Sequence, residues 1–288
     1  MKKNIWVTGK EGQLASVISK ITCNSLGNFY FTSFKELDIS NKKKVDDYIK
    51  SNKINLIINC AAFTDVDGAE INEKEAYEVN AYGVKNILAS AFENNCKLIH
   101  ISTDYVFGSL NRKEINELNK TNPLNIYGKS KLMGEKFILK SKVNSVIIRT
   151  SWLYSRYGKN FLKKIIELSA SKKNIRVIDD QIGTPTYANN LAKVCLKFIE
   201  TSDSNIINRE IYNYSDGGFC SWYEFACEIK NQLGFKAQIE PVSTLEFNQL
   251  AKRPNYSVLD KSKIKSKLDI KIINWKDSLN HFFLNNIL

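Results

Sequence analysis

Four short apolar runs punctuate the first half of the chain: "NIWVTG" (4–9), "INLIINCAA" (54–62), "KLIHIS" (97–102) and "NSVIIRT" (144–150). They are apolar almost throughout, the pattern of strands covered on both faces rather than of half-exposed strands with alternating polarity. Between the second and third runs lies "INEKEAYEVNAYGVKNILASAFENN", where Ala76, Val79, Val84, Ile87, Leu88 and Ala91 fall close to helical spacing. Strand, helix and strand in repetition predict a doubly wound parallel α/β sheet of Rossmann type over residues 1–150. From 151 to 288 the elements shorten and turns multiply, in "DDQIGTPTY", "NYSDGGFCSWYEF" and "AKRPNYSVLD". This stretch is expected to form a smaller C-terminal region, some segments of which return to the first. Ser221 followed by Glu224 makes a capping box, so a helix should start at "WYEFACEIKNQLG" and end near Gly234.

Composition narrows the classes. At 288 residues and 43% hydrophobic, the chain can bury a full core. No apolar run approaches the roughly 20 residues of a membrane span, and "MKKNIWVTGKEGQL" has too short an apolar stretch for a signal peptide. The expected compartment is the cytoplasm, with no membrane partner. Cys23, Cys60, Cys96, Cys195, Cys220 and Cys227 include no Cys-x-x-Cys pair and read as reduced, mostly buried thiols, so no metal site is expected. The net charge of +12 comes from scattered lysines with no aromatic-interleaved basic stripe, which argues against nucleic acid and allows attraction of an anionic small molecule. Of only two histidines, His100 sits inside an apolar run and reads as core, and His281 as part of a terminal helix. Proton transfer would therefore fall to another residue type.

The first run leads into "VTGKEGQLA", which places Gly9 and Gly12 at a strand-to-helix turn. Glycines there let a dinucleotide pyrophosphate approach the backbone amides at a helix N-terminus. The spacing Gly-x-x-Gly-x-x-Ala is looser than the Gly-x-Gly-x-x-Gly fingerprint and is weak by itself. A ribose-binding acid belongs about 20 residues further on. "NFYFTSFKELDIS" offers Thr32, Ser33 and Lys35 there, nothing that would repel a 2′-phosphate, so NADPH is expected over NADH. Asp38 is better placed for the adenine end.

In "NPLNIYGKSKLMGEK", Tyr127 and Lys131 lie four residues apart and share a helix face. A free phenol with pKa about 10 is a poor acid and base at neutral pH. An ammonium in a partly dry site would draw it toward about 7. The run at 97–102 continues into "STDYVFG", which offers the hydroxyl of Thr103 to a substrate carbonyl beside Tyr127. Phenol, ammonium and hydroxyl together suit protonation of a carbonyl oxygen as a hydride arrives.

These stretches, with "ELDIS", "INCAAFTDVDGAE", "VNAYGVKNIL", "HISTDYVF", "IIRTSWLY", "GKNF", "VIDDQIGTPTY", "SWYEFA" and "RPNYSVLD", resemble the extended short-chain dehydrogenase/reductase family over about residues 4–260. Within it they look like the branch that reduces the C4 ketone of dTDP-4-dehydro-L-rhamnose with a reduced nicotinamide. The resemblance implies a catalytic triad of Thr103, Tyr127 and Lys131. It implies a cofactor site of Gly9, Gly12, Gln13, Leu14, Asp38, Ile39, Ala61, Ala62, Thr64, Asn80, Tyr127 and Lys131. It also implies deoxysugar contacts at Thr103, Asp104, Tyr105 and Trp152, with Arg253 toward the pyrophosphate. An aromatic such as Trp152 after a strand can stack on a sugar ring or pack in a core. Residues 1–150 would then bind NAD(P) and 151–288 mainly the nucleotide sugar. Some relatives carry Mg2+ at a dimer contact. A homodimer and Mg2+ are implied here by the resemblance alone, since no carboxylate cluster predicts the ion. Ala15, Gly68 and Ser155 depart from the family's common glycine, lysine and glycine.

Three other readings compete. A sugar-nucleotide dehydratase or epimerase shares the fold, tyrosine and lysine, but dehydratases of this type follow the threonine with Asp-Glu, where this chain has Asp104 and Tyr105. A regulatory subunit like that of methionine adenosyltransferase would need no phenol. A nucleic-acid binder would show steeply salt-dependent binding.

Overall fold

A computed structural model describes residues 3–22, 26–108, 113–200 and 208–285, so Cys23 lies outside the described residues. The apolar runs form the strands β1 (Asn4–Thr8), β3 (Leu56–Asn59), β4 (Lys97–Thr103) and β5 (Ser145–Thr150). They are joined by β2 (Asn28–Thr32) and by β6 (Glu210–Asn213), which crosses back from the second half of the chain to extend the sheet beyond β5. All pairings are parallel, in the order β2-β1-β3-β4-β5-β6. This is the doubly wound Rossmann-type sheet the pattern predicts. Its order reverses between β1 and β3, and crevices at the carboxyl ends beside such a reversal are where ligands bind in these sheets.

Alternation along each strand explains why the runs are apolar throughout. Ile5, Val7, Ile58, Val146 and Ile148 face one layer with α1 (Gln13–Ile21) and a helix at Ala188–Glu200. Trp6, Ile57, Leu98 and Ile147 face the opposite layer, built by α2 (Lys42–Ser51), α3 (Val84–Glu93) and α4 (Ile126–Lys140). Every second residue is buried on one side and its neighbour on the other. A third cluster gathers Tyr154, Leu162, Ile175, Phe225, Trp275, Leu279 and Phe282 into a smaller lobe, with its own parallel strand pair Asn174–Ile178 and Gln238–Val242. The capped helix expected there spans Trp222–Leu233, with Ser221 and Glu224 bonded reciprocally and Gly234 left-handed at φ 67°.

The long helical stretch after residue 71 is not continuous. Short helices at Val66–Ile71 and Glu73–Tyr77 precede a π-helical turn at Glu78–Gly83, and only then does α3 begin. The turn carries Asn80, fully buried, whose side chain accepts from Phe63 N at 2.9 Å and donates to Phe63 O and Ser130 Oγ at 3.0 Å each. Such one-turn insertions recur at functional sites. Here it couples the loop after β3 to α4.

His100 is core, as expected: its Nδ1 faces Asn59 Nδ2 at 3.1 Å, and burial holds it neutral, well below the usual histidine pKa. Among the described residues no helix is long and apolar enough to cross a membrane. Of the described cysteines, Cys96, Cys195 and Cys220 are buried and Cys60 and Cys227 half-buried, all as free thiols.

One buried ion pair holds α4 on the sheet. Arg149 of β5 meets Glu135 through Nε at 2.9 Å and Nη2 at 2.6 Å, Ser102 of β4 donates to the same carboxylate at 2.6 Å, and the guanidinium lies 4.9 Å from the Phe107 ring centre. Removing one partner strands the other charge in the interior. Glu135→Ala should cost about 3–5 kcal/mol in chemical denaturation, and Glu135→Leu with Arg149→Met together much less. A loss below about 1 kcal/mol for Glu135→Ala would contradict this account.

Candidate active site

Beside the sheet's reversal, β1 ends in a cradle. Thr8 Oγ1 accepts from the backbone amides of Cys60 and Ala61 at 3.0 and 2.9 Å and donates to Asn59 Oδ1 at 2.7 Å, locking the ends of β1 and β3 together. Gly9 follows at φ 71°, where a Cβ would lie 3.0 Å from Ala61 N. Gly12 is the N-cap of α1, bonds Gly9 O through its amide at 2.8 Å and supplies no side-chain cap. The first-turn amides of α1 therefore stay open beside backbone that no side chain obstructs, which fits a pyrophosphate at a helix N-terminus.

The other expected cofactor residues divide into two kinds. Leu14 and Ile39 are core residues at 4% and 3% exposure, so only their backbones can face a ligand. Ala61 and Ala62 are half-buried and Thr64 exposed on the loop after β3. Asn80 spends its side chain on Phe63 and Ser130, and so shapes that loop instead of reaching outward. Gln13 likewise turns away: its Nε2 donates to Leu153 O at 3.1 Å and its Oε1 accepts from Ser155 and Asn160 at 3.0 and 2.9 Å. Ser155, where the resembled family commonly has glycine, thus helps tie the phosphate loop to the segment after β5. Asp38 closes a local turn onto Ser40, with its N at 2.9 Å and its Oγ at 2.8 Å, and lines a cavity of about 830 Å3 with Phe34, Ile71 and Val79.

At the carboxyl end of β4 the structure brings Thr103, Asp104, Tyr105, Tyr127 and Arg253 together. Thr103 caps a short 3-10 turn at Asp104–Val106, accepts from Tyr105 N at 3.2 Å and donates to Asp104 Oδ1 at 3.1 Å. The Tyr127 phenol lies near the same hydroxyl, and the Tyr105 and Tyr127 rings meet edge to face at 5.9 Å. Gly128 permits this closeness, because a Cβ there would sit 2.2 Å from Tyr105 O. Asn125 caps the helix start through Gly128 N and anchors it to Lys252 O.

The electrostatics differ from the expected pattern in one respect. Lys131 lies on the Tyr127 face of α4, but its ammonium donates to Ile101 O at 2.7 Å, and burial, partly opposed by Glu135, pulls its pKa down to about 8. Burial also pushes the Tyr127 phenol up to about 12 against the opposing Thr103 hydroxyl. The expected drop toward 7 is absent because loss of water dominates at this position and the nearby Asp104 adds to it. Asp104 is 2% exposed and raised to about 7, again by burial, with Ser257 and Thr103 opposing.

Two expected sugar contacts are already engaged. Arg253 is paired through both terminal nitrogens with Asp67 at 3.1 and 2.7 Å, a partner the sequence reading missed, and lies near Tyr105. Asp67 also takes Ala251 N at 2.9 Å, so the pair clips the 251–253 loop to the helix at Val66–Ile71. Trp152 stands at φ 44°, stacked on Trp222 with centroids 3.4 Å apart and planes 8° apart. Gly183 approaches the same ring so closely that a Cβ would fall 2.5 Å from Cε2. One face of Trp152 is thus taken by Trp222, a partner that no sequence spacing pointed to.

Asp104 supplies a test. Its carboxyl holds a proton in the folded protein between about pH 4 and 7, where the unfolded chain has lost it, so its contribution to stability falls as pH rises through that window. Relative to Asp104→Asn, the natural protein should lose stability from pH 4 to 7 in urea titrations. Parallel curves for the two proteins would contradict the burial of an uncharged Asp104.

Comparison with known proteins adds an independent line. The family model described as RmlD substrate binding domain matches residues 2–287. A dTDP-4-dehydrorhamnose reductase of Aggregatibacter actinomycetemcomitans is 36% identical over 283 residues, covering 96% of each chain. The crystal structure of a dTDP-4-dehydrorhamnose reductase from Bacillus anthracis in complex with NADP superposes with a TM-score of 0.94 at 36% identity, covering 99% of this chain and 100% of that one. An orthologue from Clostridium acetobutylicum gives 0.91 at 38% identity, with 97% and 98% covered.

Proposed function

This chain belongs to the RmlD substrate-binding-domain family, and from that premise we propose that it reduces the C4 ketone of dTDP-4-dehydro-L-rhamnose to give dTDP-L-rhamnose, using NADPH or NADH. The observation that carries the reading is the meeting of Thr103 and Tyr127 at the carboxyl end of β4, next to the open helix start at Gly9 and Gly12. The glycine cradle and the loop at Ala61, Ala62 and Thr64 would hold the dinucleotide. Bound there, the reduced nicotinamide supplies the hydride.

The residues of the chain do the rest. Thr103 orients the ketone through its hydroxyl. Tyr127 gives its proton to the carbonyl oxygen as negative charge builds there. A phenol held near pKa 12 is loaded with that proton at neutral pH, and an alkoxide is basic enough to take it. Lys131, largely protonated at neutral pH with its pKa near 8, offsets the phenolate left behind and hydrogen-bonds the nicotinamide ribose. Asp104, Tyr105 and Trp152 contact the deoxysugar, and Arg253, positioned by Asp67, presents charge toward the diphosphate. In this reading residues 1–150 serve mainly the cofactor and 151–288 mainly the dTDP-sugar, in a cytoplasmic enzyme that pairs as a homodimer.

The test follows nicotinamide absorbance with dTDP-4-dehydro-L-rhamnose generated in situ. Oxidation should depend on the sugar. Tyr127→Phe should slow turnover about 100-fold or more while leaving the nicotinamide dissociation constant within about twofold. Near-normal turnover in that variant would remove Tyr127 from the mechanism.

A further inference from the structure

At the carboxyl end of β2, where the adenine ribose sits in sheets of this order, two of the three residues expected to welcome a 2′-phosphate, Thr32 and Ser33, are turned inward. Thr32 is 4% exposed and its hydroxyl accepts from Trp6 Nε1 at 2.9 Å. Ser33 is 5% exposed, and its amide donates to Glu36 Oε2 at 2.7 Å. Phe34 and Lys35 are exposed, and beside them the Glu36 carboxylate and the Lys10 ammonium face outward 3.2 Å apart, both about half exposed. Lys10 is fixed to this end by its amide on Thr32 O and its carbonyl on Ser16 Oγ, each at 3.0 Å. The Ser33 amide and the Lys10 ammonium, both donating to the Glu36 carboxylate, hold it below the usual carboxylate range.

We propose that Glu36, set against Lys10, determines the choice between NADH and NADPH. This inference rests on the nicotinamide reading above. A carboxylate accepts a ribose 2′-hydroxyl, and the Lys10–Glu36 pair can stay intact as it does so. A 2′-phosphate is repelled by Glu36 and must draw Lys10 away from it. The site therefore admits both cofactors, with Glu36 favouring the hydroxyl and Lys10 the phosphate. The expectation from Thr32, Ser33 and Lys35 did not include Glu36, which reaches back three residues to the Ser33 amide.

Direct titration of the whole protein with 5′-ADP and 2′,5′-ADP, by calorimetry, isolates this position from catalysis. Glu36→Gln preserves an acceptor for Ser33 N and removes the charge, so the preference for 2′,5′-ADP over 5′-ADP should rise about tenfold. Lys10→Met should lower the same ratio by a similar factor. A ratio unchanged in both variants overturns the assignment while leaving the reductase reading intact. If the natural protein binds neither fragment, the dinucleotide site itself falls, and Glu36 loses its role with it.

Discussion

The site depends first on how α4 is seated. Tyr127, Lys131 and Glu135 are spaced by four, so they share one helical face. That face turns toward the sheet, where a phenol, an ammonium and a carboxylate must each find a partner or bear the cost of losing water. Glu135 finds Arg149 and Ser102, Lys131 finds Ile101 O, and Tyr127 finds Thr103. The Glu135–Arg149 pair is the deepest and most tightly bonded of the three. It sets rotation and height for the other two, because α4 cannot turn without stranding a buried charge.

The phosphate loop is held in the same manner from the other side of the sheet. Thr8, Asn59 and His100 form a polar line across β1, β3 and β4, and Thr8 supplies the acceptor for two amides at the end of β3. Asn80 in the π-helical turn then fixes the loop that follows and, through Ser130, ties it to α4. Two neutral buried networks and one ionic one therefore converge on the crevice. Each is held by named partners, with only His100 Nε2 and Arg149 Nη1 of these networks left buried without one, and together they let a polar site exist inside a sheet whose strands are otherwise apolar.

Much of this was legible in the sequence, and the reasons differ by feature. The sheet announced itself because strands buried on both faces must be apolar throughout. Tyr127, Lys131 and Thr103 were readable because helical periodicity and strand ends are local geometry. The capped helix at Trp222 was readable because Ser221 and Glu224 bond within one turn. What escaped depends on contacts between distant segments. Trp152 offered a plausible stacking surface until Trp222, 70 residues away by numbering, stacked on it and Gly183, 31 residues away, closed against the same ring. Arg253 looked free until Asp67, 186 residues earlier, paired with it. Strand β6 is a short, partly polar run, "EIYN", and acquires its place only from β5. Glu36 was the one local miss, since Ser33 and Glu36 carry the same serine-to-glutamate spacing that identified the helix at Trp222.

The phenol illustrates why a residue pattern can point to the right group for an incomplete reason. Proximity of a lysine suggests a lowered pKa, but at a buried position the removal of water acts on phenol and ammonium in opposite senses, raising one and lowering the other. The two values here, about 12 and about 8, bring the lysine closer to neutrality and hold the proton on oxygen. For removing a proton from an alcohol that arrangement would be a handicap. For adding one to a carbonyl oxygen it is suited, because the acid must arrive loaded and is deprotonated only by the alkoxide it meets. The lysine charge then has its effect after transfer, when a buried phenolate would otherwise stand uncompensated. A phenol that keeps its proton at neutral pH is thus compatible with the proposed role of Tyr127 as the acid that protonates a carbonyl oxygen.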